Sequence, residues 1–202
     1  MLVVIDYNIG NVRSVCNAFQ HIGCDAVLSK DPAAIKDAAG LVLPGVAAFG
    51  YAVAALGGLA EAVRDFARSG RAVLGICVGY QMLFESSCEY GQNKGLGLIK
   101  GNICPIPTGR VIPHMGWNLV KLPADMALFE GLGNQKHFYF AHSFYAQPAD
   151  DKATFAFTDY GFELAASVQK SNIFGTQFHP EKSGKTGLKV LENFYDICRQ
   201  KK

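Results

Sequence analysis

Ala72-Val73-Leu74-Gly75-Ile76-Cys77-Val78-Gly79 decides the fold, because here a short apolar run delivers a cysteine into a turn flanked by glycines. The run has the length and branched content of a buried strand, and the turn copies the G-x-S-x-G elbow with cysteine in place of serine. Such an elbow joins a strand to a helix and leaves its central side chain at the carboxyl end of a parallel sheet, where open α/β folds place their chemistry. The expected class is therefore α/β.

Upstream of the elbow, strand-like runs alternate with segments of helical period, as right-handed βαβ units require. Residues 2–6 read as a buried strand. Asn11 is expected to cap a helix carrying Val12, Val15, Phe19 and Ile22 on one face, with Gly23 ending it before a second strand at residues 24–28. Asp31-Pro32 reads as an N-cap followed by proline at the first helical position, ahead of a strand at 41–43. One long helix is expected over 51–68, closed by Gly70. Downstream, crossover helices give way to β-like runs at 96–104, 116–120, 137–145, 154–158, 164–169 and 172–178. A final helix at 185–199 carries Leu188, Leu191, Phe194, Tyr195 and Cys198 on its apolar face. The pattern describes a central, mostly parallel but mixed sheet flanked by helices, with antiparallel strands added in the second half, in a single domain over residues 1–202.

Composition supports a substantial core: of 202 residues, 50% are hydrophobic and only 18% charged. The 19 lysines and arginines exceed the 17 acidic residues by only +2, and no basic stripe appears beyond the tail of Arg199, Lys201 and Lys202, so no nucleic-acid partner is expected. The six cysteines form no C-x-x-C pair, which fits a reduced, cytoplasmic setting rather than a disulfide or zinc framework. The uncharged stretch at residues 41–60 has the length of a transmembrane helix, but Pro44-Gly45, Gly50, Gly57 and Gly58 argue for a strand, a turn and a helix instead. The N-terminal apolar run meets Asp6 too early to be a signal peptide. Neither a metal nor another cofactor is expected.

A nucleophilic cysteine must become a thiolate, and a helix N-terminus contributes only ~0.3–1 kcal/mol, less than the ~1.36 kcal/mol of one pKa unit. A base is needed. Of the five histidines only His179 has suitable company, in Gln177-Phe178-His179-Pro180-Glu181. Proline forces the preceding residue to be extended, and a period of two then puts His179 and Glu181 on one side, where the carboxylate can orient the ring. His137 and His142 are five apart in a strand and point to opposite faces, while His21 and His114 are expected to be structural. The turn from Pro44 to Gly50 can bring a backbone N–H toward the substrate carbonyl, and with the N–H of Val78 it would make an oxyanion hole.

The elbow followed by Gln81, the Pro44-Gly45-Val46 loop and the late His179-Pro180-Glu181 together resemble the class I, or triad, glutamine amidotransferases. Within that class, Asp6-Tyr7 with Gly10-Asn11, Pro113-His114-Met115-Gly116-Trp117-Asn118, Phe138-Tyr139-Phe140-Ala141-His142-Ser143 and His179-Pro180-Glu181-Lys182-Ser183 are similar to the glutaminase subunits of imidazole glycerol phosphate synthases. The resemblance implies the class I amidotransferase fold, with Cys77 as nucleophile, His179 as base and Glu181 as its orienting acid. It places Val46 and Val78 in the oxyanion hole, and Gly45, Gln81, Glu89, Ser143 and Phe144 around glutamine. It further implies a (β/α)8-barrel synthase as partner in a heterodimer, met through Asn11, Tyr139 and Lys182, and a peptide flip at Gly45–Val46 that switches on glutamine hydrolysis. Ala47 stands where the family usually has glycine, which could bias that flip, and Asn8 stands where glycine is common. Relatives that supply ammonia for amidating a surface sugar, a cysteine peptidase and a catalytically silent binding subunit are the competing readings.

Overall fold

A computed structural model of the chain describes residues 1–200, leaving Lys201 and Lys202 of the basic tail outside the described residues. Its first half runs β1 (Leu2–Ile5), α1 (Val12–His21), β2 (Ala26–Ser29), α2 (Pro32–Asp37), β3 (Gly40–Leu43), α3 (Phe49–Leu56), α4 (Leu59–Arg68), β4 (Ala72–Ile76) and α5 (Val78–Met82). Every residue of β1, β3 and β4 is buried, as a parallel sheet covered on both faces demands. Asp31 caps α2 as expected, accepting the Ala33 N–H at 3.0 Å with Pro32 behind it. Asn11 does not cap α1: its side-chain oxygen accepts the Ser14 hydroxyl at 2.8 Å, and no backbone N–H reaches it.

The single helix expected over 51–68 is two helices. Gly57 takes a φ of +50° and closes α3 by donating to the Val53 carbonyl, and α4 begins again after Gly58. A left-handed residue ends a helix, so the glycine pair divides what the apolar periodicity alone would have run together.

The second half holds β5 (Ser86–Ser87), β6 (Asn93–Lys94), β7 (Gly101–Pro105), β8 (His114–Lys121), β9 (Gln135–His142), β10 (Phe144–Pro148), β11 (Thr154–Asp159), β12 (Glu163–Lys170), β13 (Ile173–Thr176) and α6 (Gly184–Gln200). One nine-stranded sheet has the order β2-β1-β3-β4-β13-β12-β11-β8-β9, parallel from β2 to β13 and antiparallel beyond it. Two expectations change here. Residues 137–145 are not one strand, because Ser143 separates β9 of the large sheet from β10 of a second sheet ordered β10-β7-β5-β6. Of the run at 96–104, only the part from Gly101 onward is strand.

What matters for function is how the last parallel strand is anchored. β13 lies beside β4 in register, with Thr176 opposite Ile76, so the segments leaving both strands emerge together at one sheet edge. Just past β13, Phe178 is fully buried and stacks on Phe138 with ring centres 4.0 Å apart, with Phe129 and Phe140 around them. That aromatic cluster fixes the backbone one residue before His179.

Candidate active site

Cys77 sits at the apex of the elbow with φ +54° and ψ −108°, a region that non-glycine residues enter only at a cost of order 1–3 kcal/mol. The flanking glycines make the turn possible. A Cβ on Gly79 would lie 1.6 Å from the Leu43 carbonyl oxygen, and one on Gly75 would lie 2.5 Å from the Gly79 oxygen. The strained turn presses α5 against the ends of β3 and β4, and the thiol, 3% exposed, points toward the Ala141 carbonyl at 3.9 Å.

His179 and Glu181 meet there, through a different backbone from the extended one expected. His179 itself is extended, at φ −97° and ψ 97°, but Pro180–Lys182 turns into a single 3₁₀ turn, and that turn brings Glu181 back to the ring. The His179 Nδ1 to Glu181 Oε1 distance is 2.8 Å, and both side chains are almost wholly buried. Glu181 Oε2 is buried with no hydrogen-bond partner among the described residues, so the hydrogen bond that holds the carboxylate is the one to the imidazole. Burial works against the charged ring, yet hydrogen bonds and Coulomb attraction from Cys77 and Glu181 outweigh it and push His179 up to about 9. The backbone locks this arrangement, since His179 N–H donates to Tyr139 and the Ser183 hydroxyl donates to the His179 carbonyl.

Cys77 and His179 open on a cleft of about 490 Å³ whose lining includes Gln81, Glu89, Ser143, Phe144, Val46 and Val78, and Glu181 is buried beside the ring without lining it. Gln81 is buried, and its amide nitrogen donates to the Phe144 carbonyl and to Gln177, both at 3.0 Å. Glu89 reaches 40 residues back along the chain to accept the Phe49 N–H at 2.7 Å, at the start of α3. Asn11 and Lys182 stand at the rim, with the Lys182 ammonium 5.9 Å from the centre of the Tyr139 ring. Val46 is exposed on the cleft wall, whereas the Val78 N–H donates to the Gly45 carbonyl at 3.3 Å. An oxyanion hole built on Val46 and Val78 is therefore closed in this conformation, because one of its donors is already taken. Gly45 itself is pinned from behind, its carbonyl on Val78 and the preceding Pro44 carbonyl on the Tyr7 hydroxyl.

Three contributors escaped the sequence reading. Gln177 bridges Gln81 and the Cys77 sulfur, with its amide nitrogen 3.9 Å from Sγ. His142, which the strand period set only on the face opposite His137, and His114, expected to be structural, form a buried pair with Nε2 of His142 and Nδ1 of His114 2.9 Å apart. Burial lowers both, His114 to about 4 and His142 to about 3, so both are neutral at pH 7. His142 Nδ1 lies 2.7 Å from the Phe144 carbonyl and must donate to it, which fixes the proton on Nδ1 and leaves Nε2 to accept from His114. Spacing in the sequence does not announce this pair, because the β8–β9 register is what sets His114 opposite His142.

A family model described as glutamine amidotransferase class-I matches residues 3–198. The imidazole glycerol phosphate synthase subunit HisH of Methanothermobacter thermautotrophicus is 48% identical over 98% of this chain and 100% of its own length, and that of Moorella thermoacetica is 45% identical over 98% and 95%. A solved glutamine amidotransferase superposes with a TM-score of 0.79 at 18% identity over 98% of both chains. Thermotoga maritima PurLQS superposes at 0.76 and 24% identity over 96% of this chain and 97% of that one.

Proposed function

Since this chain belongs to the class-I glutamine amidotransferase family, we propose that it is the glutaminase subunit of an imidazole glycerol phosphate synthase, releasing ammonia for a synthase subunit. The observation that carries the reading is the convergence of the strained Cys77 elbow with the buried His179–Glu181 pair on one cleft. Cys77, as thiolate, attacks the side-chain carbonyl carbon of glutamine and forms a tetrahedral oxyanion. His179, protonated, gives its proton to the amide nitrogen; the C–N bond breaks, ammonia leaves and a glutamyl thioester remains. The now neutral ring takes a proton from water, the resulting hydroxide attacks the thioester, and glutamate departs as the thiolate and imidazolium return. Glu181 holds the ring and stabilises its charge throughout.

Gln81, Glu89 and the main chain of Ser143 and Phe144 are the proposed contacts to the amino acid's head groups. Turning the Gly45–Val46 peptide would remove the carbonyl from Val78 and bring the Val46 N–H inward, supplying two donors where the oxyanion forms. The proposed partner is a (β/α)8-barrel synthase docked at the rim formed by Asn11, Tyr139 and Lys182, and the proposed compartment is the cytoplasm. Among the described residues no helix is long and apolar enough to cross a membrane. The test is release of glutamate from glutamine by the full chain with its synthase subunit, using Cys77→Ala as control. Peptide cleavage without glutamine hydrolysis would overturn the reading. Failure to rescue a histidine auxotroph lacking this subunit, with glutaminase intact, would redirect it to amidation of a surface sugar.

A further inference from the structure

Two free cysteines outside the catalytic cleft lie side by side on the small sheet. β5 and β7 run parallel with Ser86 opposite Asn102 and Ser87 opposite Ile103, and the ladder continues one residue further through the Cys88 N–H to the Ile103 carbonyl at 3.2 Å. Cys88 and Cys104 are thus the next pair in register. Ser87 and Ile103 point inward and are fully buried, so both cysteines point outward, on the face where Ser86 and Asn102 already touch at 2.6 Å. Neighbouring strands are about 4.8 Å apart, inside the roughly 4.4–6.8 Å between Cα atoms that a disulfide spans. Cys88 is exposed and Cys104 half-buried, while the other four cysteines are buried. Burial first, and then charge and hydrogen bonding from Cys88, push the Cys104 thiol up.

We propose that Cys88 and Cys104 form a reversible disulfide that acts on the glutamine cleft through Glu89, the second half of which rests on the role given to Glu89 above. Glu89 follows Cys88 directly. Its N–H is held by the Ser87 hydroxyl at 3.1 Å, its carbonyl by Asn93 at 2.8 Å, and its carboxylate reaches the first N–H of α3. Closing the S–S bond draws Cys88 toward β7 and withdraws the carboxylate that follows it. The oxidant is a low-molecular-weight disulfide such as oxidised glutathione. The exposed Cys88 thiolate attacks one of its sulfurs, forming a mixed disulfide and expelling one glutathione thiolate. Cys104, after losing its proton to that thiolate, attacks the Cys88 sulfur and expels the second, which takes up the proton left from Cys88. Two protein thiols are oxidised and one disulfide is reduced to two thiols; excess reduced glutathione reverses the exchange.

The experiment treats the full chain with oxidised glutathione, blocks free thiols and maps cross-linked peptides, then measures glutamate release in the presence of the synthase subunit. The expected result is a Cys88–Cys104 cross-link, absent in Cys88→Ser and in Cys104→Ser. The concentration of glutamine at half-saturation should rise about tenfold, the loss expected when one charge-assisted contact is removed. The limiting rate should stay within about threefold, dithiothreitol should restore the reduced value, and Cys104→Ser should keep that value under the same oxidant. A stable glutathione adduct on Cys88, or a cross-link to another cysteine, would overturn the pairing. A correct cross-link with unchanged half-saturation would overturn its action through Glu89 while leaving the glutaminase reading intact. A reduced wild-type complex that releases no glutamate would instead bring down that reading, with the peptide map still deciding the pair.

Discussion

His179 is the residue whose charge decides the chemistry proposed for this cleft. Its value of about 9, against an ordinary 6.5, comes from Cys77 and Glu181 prevailing over burial, so the protonated ring persists through neutral pH. Because the folded value is raised, the stabilisation that it contributes is complete below about 6.5 and is lost as pH rises through about 9. The kcat/KM for glutamate release should therefore fall on an alkaline limb near pH 9. Glu181→Gln should move that limb to lower pH, which a pH profile of kcat/KM in the complex would show; an unmoved limb would mean that the carboxylate does not sustain the charge. At the elbow, Gly79→Ala drives a Cβ into the Leu43 carbonyl, a backbone atom that cannot swing aside. Overpacking of this kind costs about 3 kcal/mol, or a fall in Tm of roughly 10 °C for a chain of this size, measurable by thermal denaturation.

In the proposed mechanism the element that controls readiness is the loop between β3 and α3. In the present conformation its Gly45 carbonyl blocks the Val78 N–H, and Ala47 is not among the residues with positive φ, so its methyl group carries no strain as it stands. The methyl group acts on the alternative conformations, which it restricts more than glycine would. Ala47→Gly should accordingly raise glutamate release in the absence of the synthase by several-fold; unchanged release would show that the rate of peptide rotation does not depend on this residue. Asn8, by contrast, already takes φ +61°, the left-handed angle that asparagine tolerates. At α2, Asp31→Ala removes the cap on Ala33 and should cost about 1 kcal/mol with no effect on glutamine hydrolysis.

Across the whole molecule, the two sheets are tied by Asp150, which follows β10 of the small sheet and takes Lys170 of β12 at 2.7 Å and the Lys100 N–H at 3.0 Å. Burial raises Asp150, but the Lys170 ammonium and the backbone donors prevail and hold it below the usual carboxylate range. Stability from this contact is present above the unfolded value near ~3.9 and is lost as pH falls through the lower folded one. Lys170→Met leaves a buried carboxylate with backbone donors alone and should cost about 2 kcal/mol at pH 7, with a smaller difference near pH 3. Denaturant titration at the two pH values measures this, and an equal loss at both would assign the effect to packing of the lysine stem.

Residue type and spacing were enough to specify the parallel half of the fold and the candidates for the reacting groups, because both are local. An apolar run of strand length, a glycine on either side of Cys77 and a proline after His179 impose their conformations on immediate neighbours, whatever lies beyond. Packing set what depends on contacts between distant segments. It split the helix at Gly57–Gly58, divided residues 137–145 between two sheets, and brought Glu181 to His179 by a 3₁₀ turn. It likewise set Glu89 against α3, His114 against His142 and the Gly45 carbonyl on Val78. Those pairings depend on strand register and on which backbone N–H is left without a partner, and residue type and spacing leave both undetermined until the chain has packed.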